Sequence, residues 1–256
     1  MLQAYFRKFR KAGIVLLCGL LCGLTVPAAR TSADPAPIWT NAEAAALIDV
    51  KSGRLIYEKN GDKPMRIASL TKIMTAIVAI EHGDLSDMVT VSANAAGKEG
   101  SSIYLKAGDT MSLHNLLYGL MLRSGNDAAT AIAEHVGGSL EGFVYLMNEK
   151  AQMIGLTGTQ FKNPHGLDEE GHYSTANDLA KLTAYALRNP VFQEIVKTKI
   201  KTAPSPDGNG AYYWYNKNKM LSIFDGADGV KTGYTKLAKR CLVSSATRNG
   251  QQLAAV

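Results

Sequence analysis

Residues 229–256 read GVKTGYTKLAKRCLVSSATRNGQQLAAV, and this stretch decides the fold class. It holds three short runs of β-type residues, "GVKTGYT", "CLVSSAT" and "QQLAAV", the last two joined by Arg248-Asn249-Gly250. Asn-Gly between such runs is a tight-hairpin signal, because the favoured turn needs positive φ at both central positions. A second hairpin signature stands near the other end, where Ala44 to Val50 and Leu55 to Tyr57 flank Lys51-Ser52-Gly53. Between the two lie helices. One is predicted from Ser69 to about His82, ended by Gly83; Ile73, Met74, Ile77, Val78 and Ile80 leave it little polar face, the pattern of a buried helix. A stripe of Leu116, Leu117, Leu120 and Met121 breaks at Ser124-Gly125-Asn126 and resumes to Gly137-Gly138, so two helices meet at a polar elbow. Further helices are predicted from Ser139 towards Gly155 and after Thr175, where Thr175 and Asp178 are spaced as a capping box, ending before Pro190. Strands first, helices next and strands last predict an α/β fold. Its single antiparallel sheet is built from both ends of the chain, flanked by helices, with an inserted helical lobe. A doubly wound parallel sheet would need strands alternating with helices.

The remaining sequence bounds compartment and partners. Arg7, Lys8, Arg10 and Lys11 precede a short apolar run, Gly13 to Val26, followed by small residues around Ala28 and Ala33; residues 1–33 read as a secretory signal peptide, cleaved after Ala28 or Ala33. The run is shorter than the roughly 20 residues that span a bilayer. Of the 28 Lys and Arg, five lie in this leader, and the other 23 face 22 Asp and Glu, so the exported part carries about one net positive charge. Such a surface has no global field for nucleic acid. Cys18 and Cys22 fall in the leader, which leaves Cys241 alone and excludes an internal disulfide. Residues 34–256 suit one domain with an inserted lobe. The chain stops inside a β-type run, so the sheet is expected to continue past Val256, and the domain is expected to be incomplete at its C-terminus.

Three short motifs carry chemistry. In "IASLTKIMTA", residues 67–76, Lys72 follows Ser69 by one helical turn. Residues three apart share a helix face, and a lysine enclosed by Ile73, Met74 and Ile77 should lose part of its affinity for a proton and become a usable base for the serine. About one S-x-x-K is expected by chance from 15 Ser and 19 Lys, and one is present. Ser124-Gly125-Asn126 places a hydroxyl and a carboxamide at the helix elbow, where they can project into a cleft. Lys231-Thr232-Gly233 lies on a predicted strand, where lysine and threonine can meet a carboxylate and glycine lets backbone approach backbone. Two look-alike triplets lack that placement: Ser92-Ala93-Asn94 has no helix elbow, and Lys51-Ser52-Gly53 sits at a hairpin tip and reads as turn chemistry. His165 and His172 have no metal-ligand partners in the sequence and read as structural, so no metal and no cofactor is expected. Tyr212 to Tyr215 form an aromatic run read chiefly as packing, with a cleft wall or a sugar platform as the alternative.

In their order and placement, these motifs resemble the penicillin-binding protein and serine β-lactamase superfamily. The flanking blocks "LIDVKSGRLIYEKN", "RIASLTKIMTAIVA", "LMLRSGNDAATAIAEHVGGS", "NPHGLDEEGHYSTANDLAKL" and "DGVKTGYT" resemble low-molecular-mass D-alanyl-D-alanine carboxypeptidases of bacteria, from about Ala44 to Val256. The second motif is S-G-N rather than the S-D-N of class A β-lactamases. The resemblance implies Ser69 as nucleophile, Lys72 as general base and Ser124 as proton carrier. It implies Asn126 on the substrate amide, Lys231 and Thr232 on the terminal carboxylate, Gly233 beneath it, and the N–H groups of Ser69 and Tyr234 as the oxyanion hole. The implied partners are peptidoglycan stem peptides, with β-lactams as inhibitors and membrane association through a segment beyond Val256; the implied location is the cell envelope. The competing expectations are a serine β-lactamase and a non-catalytic wall-binding protein.

Overall fold

Both ends of the chain enter one antiparallel sheet. The computed structural model describes residues 38–206, 208 and 210–256; the leader predicted over residues 1–33 lies outside the described residues. Strand β1 (Ala45–Asp49) pairs with β2 (Leu55–Lys59), and the C-terminal strands β7 (Ala227–Thr235), β8 (Lys239–Arg248) and β9 (Gln251–Ala255) complete the order β2-β1-β9-β8-β7. β9 is paired on both sides, to β1 and to β8, which leaves β7 as an edge. Both hairpins close as their sequences predict. Asn249 and Gly250 take φ of 50° and 76°. In the first, the Asp49 carboxylate accepts from the N–H and hydroxyl of Ser52, and Gly53 takes φ 72°.

Register defines the face of the sheet that meets the helices: Ile48, Ala254, Ser245 and Gly229 stand opposite one another across four strands. Helix α5 (Ala176–Ala186) lies against β1, and α6 (Pro190–Lys197) against β7. The glycine in that row has a reason: a Cβ on Gly229 would stand 3.0 Å from the Val196 side chain of α6. Beneath them runs α1 (Lys72–His82), buried from Lys72 through Ala79. Ile73, Met74, Ile77 and Val78 are fully enclosed, each worth about 1.5–3 kcal/mol of burial.

The lobe begins with the small pair β3 (Met88–Thr90) and β4 (Thr110–Ser112) and continues through α2 (Leu113–Tyr118), a π turn (Gly119–Arg123), α3 (Asn126–Gly137) and α4 (Leu140–Met153). The start of each helix follows its cap. Ser112, Ser139 and Thr175 accept from the N–H of Asn115, Gly142 and Asp178. Two details depart from expectation. Ser69 precedes α1, in a 3₁₀ turn (Ala68–Thr71) tightened by the Thr71 hydroxyl, which donates to Ala68 O at 2.8 Å. And Pro190 opens a helix that the sequence reading did not anticipate: it occupies the first turn of α6, where its missing N–H is no loss, while Asn189 Oδ1 accepts from Val191 and Phe192. A second two-stranded sheet, β5 (Ile200–Pro204) with β6 (Ala211–Tyr215), and the short α7 (Met220–Ile223) precede β7. No helix among the described residues is long and apolar enough to cross a membrane.

Candidate active site

The 3₁₀ turn changes how Ser69 and Lys72 meet. With three residues per turn, positions i and i+3 eclipse, so the lysine side chain rises directly beside the serine. Lys72 Nζ lies 3.2 Å from Ser69 Oγ, 2.7 Å from Asn126 Oδ1 and 2.6 Å from His165 O. Its side chain is wholly buried, and burial, reinforced by the charges of Lys231 and Lys217, holds the amine well below the ordinary lysine range. The neighbours define the hydrogen bonds open to the amine. His165 O can only accept, and Asn126 is oriented by Nδ2 donating to Glu99 O at 2.7 Å, so its oxygen faces the lysine and also accepts. A neutral amine has two N–H groups. In the neutral form these two acceptors would take both and leave the lone pair for Ser69 Oγ, 3.2 Å away. This is the arrangement a general base requires.

Several elements hold that geometry in place. Gly166 (φ 86°) passes over the turn, where a Cβ would fall 1.9 Å from Ala68 O. On the opposite side, β7 presses its glycine against the serine: a Cβ on Gly233 would lie 3.1 Å from Ser69 N. The sequence expectation that this glycine permits backbone to approach backbone is met. Lys231, two residues earlier, is buried, donates to Thr232 O at 2.9 Å, and is pushed by burial, then by Lys217, down to about 7. Thr232 is half-buried, and the Tyr234 ring is exposed at the end of the same edge strand.

The elbow is sharper than two capped helices would make it. Ser124 sits in the left-handed region at φ 65°, at the end of the π turn, a conformation that costs a non-glycine residue energy and concentrates at functional sites. It is buried, and its hydroxyl has no hydrogen bond to another described residue. The structure therefore places Ser124 at the elbow without joining it to Lys72. Asn126, by contrast, is joined to Lys72 by its oxygen, so what it retains for a substrate is the second N–H of its amide.

Three participants escaped the sequence reading. Asp127, buried, accepts from Ser102 Oγ and from the N–H groups of Ile103 and Leu105, fastening the 99–105 loop to the elbow. Lys217 donates to Ser101 Oγ at 2.9 Å across the same loop. The carbonyl of His165 completes the lysine's shell. An acid in the first turn of α3 and a lysine within "NKNK" are visible in sequence, but their targets are backbone groups distant in the chain. The look-alike triplets behave as expected: Ser92 Oγ caps Ala95 N, Asn94 bonds Glu134, and Lys51-Ser52-Gly53 is a surface turn. His172 bonds Thr71 Oγ1 at 2.8 Å and accepts from Lys162 N, a structural part.

A family model for D-alanyl-D-alanine carboxypeptidases matches residues 29–256. D-alanyl-D-alanine carboxypeptidase DacF of Bacillus subtilis (strain 168) is 38% identical over 251 residues, 94% of this chain and 64% of that protein. The chain thus spans less than two thirds of that relative. A D-alanyl-D-alanine carboxypeptidase of Streptomyces sp. (strain K15) is 35% identical over 94% of this chain and 89% of its own length. The crystal structure of the Streptomyces K15 DD-transpeptidase superposes with a TM-score of 0.81 at 35% identity, covering 85% of this chain and 89% of that one.

Proposed function

The chain belongs to the D-alanyl-D-alanine carboxypeptidase family, and on that premise we propose that it is an exported serine-type carboxypeptidase that removes the terminal D-alanine from peptidoglycan stem peptides. The observation that carries the reading is the buried Lys72 amine, which touches Asn126 Oδ1, His165 O and, at 3.2 Å, Ser69 Oγ.

In this mechanism the Ser69 proton passes to Lys72 Nζ while Oγ attacks the carbonyl carbon of the penultimate D-alanine. The N–H groups of Ser69 and Tyr234 hold the oxyanion; donors of this kind are worth about 3 kcal/mol each. Collapse breaks the peptide bond, and the departing amine of the terminal D-alanine receives a proton through Ser124. Water then hydrolyses the ester left on Ser69. Lys231 and Thr232 receive the substrate's terminal carboxylate, Gly233 gives the peptide room along β7, and the second N–H of Asn126 meets a substrate amide oxygen. As an edge strand, β7 offers unpaired backbone groups to an extended peptide. β-Lactams, whose strained amide occupies the place of the D-Ala-D-Ala bond, acylate the same serine.

The leader-like residues 1–33 support export to the cell envelope, where the substrate is found. The test is incubation of the full chain with labelled penicillin, peptide mapping of the adduct, and measurement of D-alanine released from a soluble D-Ala-D-Ala peptide. The reading requires a long-lived adduct on Ser69 and D-alanine release. Rapid turnover of the penicillin would mean a β-lactamase instead, and neither adduct nor release would mean a non-catalytic wall-binding protein.

A further inference from the structure

The β5–β6 hairpin presents an aromatic face that nothing in the proposed reaction uses. Alternation along each strand sends Trp214 and Ala203 inward, both buried, with Trp214 stacked on Tyr212 at 5.5 Å and Lys201 Nζ 4.2 Å over the Tyr118 ring. The Lys201–Tyr118 contact ties the hairpin to the end of α2. The outward face holds Tyr213 and Tyr215, 64% and 58% exposed, beside Thr202 and Ile200 directly across the ladder. That face carries no charge. Its tyrosines stand two residues apart on one side of a strand, about 7 Å, on the order of one sugar ring and its linkage.

The chain leads from this face towards the catalytic cleft. Arg123 Nη1 donates to Tyr215 O at 3.4 Å, Lys217 follows two residues later, and its amine reaches Ser101 Oγ on the loop that also receives Asn126 N. We propose that Tyr213 and Tyr215 form a platform for the saccharide strand that bears the stem peptide. The inference rests on the carboxypeptidase reading and extends it from the peptide to the polymer. A pyranose has apolar C–H faces and a rim of hydroxyls; a tyrosine exposes a flat ring and one hydroxyl, so stacking and hydrogen bonding are met together. The position favours a polymer over a lipid surface. Trp214 is turned inward, Ile200 is the aliphatic side chain left on the outward face, and the connection from Ser205 to Gly210 has no large apolar residue to insert.

The test compares the full chain with Tyr213→Ser/Tyr215→Ser and with Tyr213→Phe/Tyr215→Phe. Substrates are pentapeptide-bearing peptidoglycan polymer and soluble diacetyl-lysyl-D-Ala-D-Ala. The serine variant should raise KM for the polymer about tenfold and leave kcat, soluble-peptide kinetics and penicillin acylation unchanged; the phenylalanine variant should retain most polymer affinity. Unchanged polymer kinetics would overturn the platform. So would equal losses on both substrates, or loss of binding to phosphatidylglycerol vesicles with the polymer unaffected. If the wild-type chain releases D-alanine from neither substrate, the carboxypeptidase reading falls, and co-sedimentation with purified peptidoglycan decides the platform separately: equal binding by wild type and serine variant refutes it.

Discussion

Acid should weaken the turn that carries Ser69, and one residue isolates the effect. His172 is buried and holds a single tautomer: Nδ1 accepts from Lys162 N at 3.1 Å, so Nε2 carries the proton and donates to Thr71 Oγ1, whose own hydroxyl donates to Ala68 O. Protonating Nδ1 would set two N–H groups against each other. Burial accordingly lowers His172 from its ordinary 6.5 to about 4. Because the folded-state value lies below the unfolded one, the unfolded chain binds more protons in this window. The stabilisation is present above 6.5 and is lost as pH falls towards 4. At about 1.4 kcal/mol per unit, the shift amounts to about 3 kcal/mol by pH 4. Glutamine at this position can accept from Lys162 and donate to Thr71 without titrating. Urea unfolding of wild type and His172→Gln at pH 7, 5.5 and 4 should therefore diverge, with the wild type losing about 3 kcal/mol more. His165, lowered to about 3 first by burial, differs between the two proteins only through His172, the last of its causes. Parallel losses in the two proteins would refute the reasoning.

Lys72→Arg cannot present a lone pair, so penicillin acylation, followed by intact-protein mass spectrometry, should slow by about 10²–10⁴. Lys231→Met should be more stable than wild type at pH 7 by urea unfolding, because the wild-type group, at about 7 when folded against 10.5, gives up stability wherever the unfolded chain is the better proton binder. The gap should close as pH rises towards 10.5, while KM for carboxylate-bearing peptides increases throughout. A carboxylate ligand that pairs with Lys231 should raise its proton affinity, so binding near pH 8 should take up a proton, read by calorimetry in buffers of different ionisation enthalpy; no buffer dependence would argue against this contact.

Legibility followed the range of the interactions. The hairpins at Asn249-Gly250 and Ser52-Gly53, the capped helix starts and the buried helix α1 depend on neighbouring residues, and the sequence reading located them. The helix at Pro190 was missed because proline was taken only as a stop, whereas Asn189 beside it is a cap. The π turn and the left-handed Ser124 leave no local signature. In the site, Ser69, Lys72, Asn126, Lys231 and Gly233 were legible as residue types in a pattern, and the structure brings Ser69, Lys72, Asn126 and Gly233 into contact around one turn. What orients them was not legible. Glu99 O, Ser101 O and His165 O are carbonyls, which every residue possesses, and only the fold selects them.

That selection explains how two buried lysines in one cleft can differ in task. Desolvation acts on both, so it lowers both and distinguishes neither. Partners distinguish them. Lys72 has two obligate acceptors and a hydroxyl, a set that in the neutral form would leave its lone pair for Ser69 Oγ. Lys231 has one acceptor, Thr232 O, and N–H groups to spare, so its charged form lacks only an anion. Under the proposed reading, a carboxylate arriving there would supply the missing counter-charge. The two lysines thus differ by their partners and not by their burial, and under the proposed reading a substrate without that carboxylate would leave Lys231 unpaired.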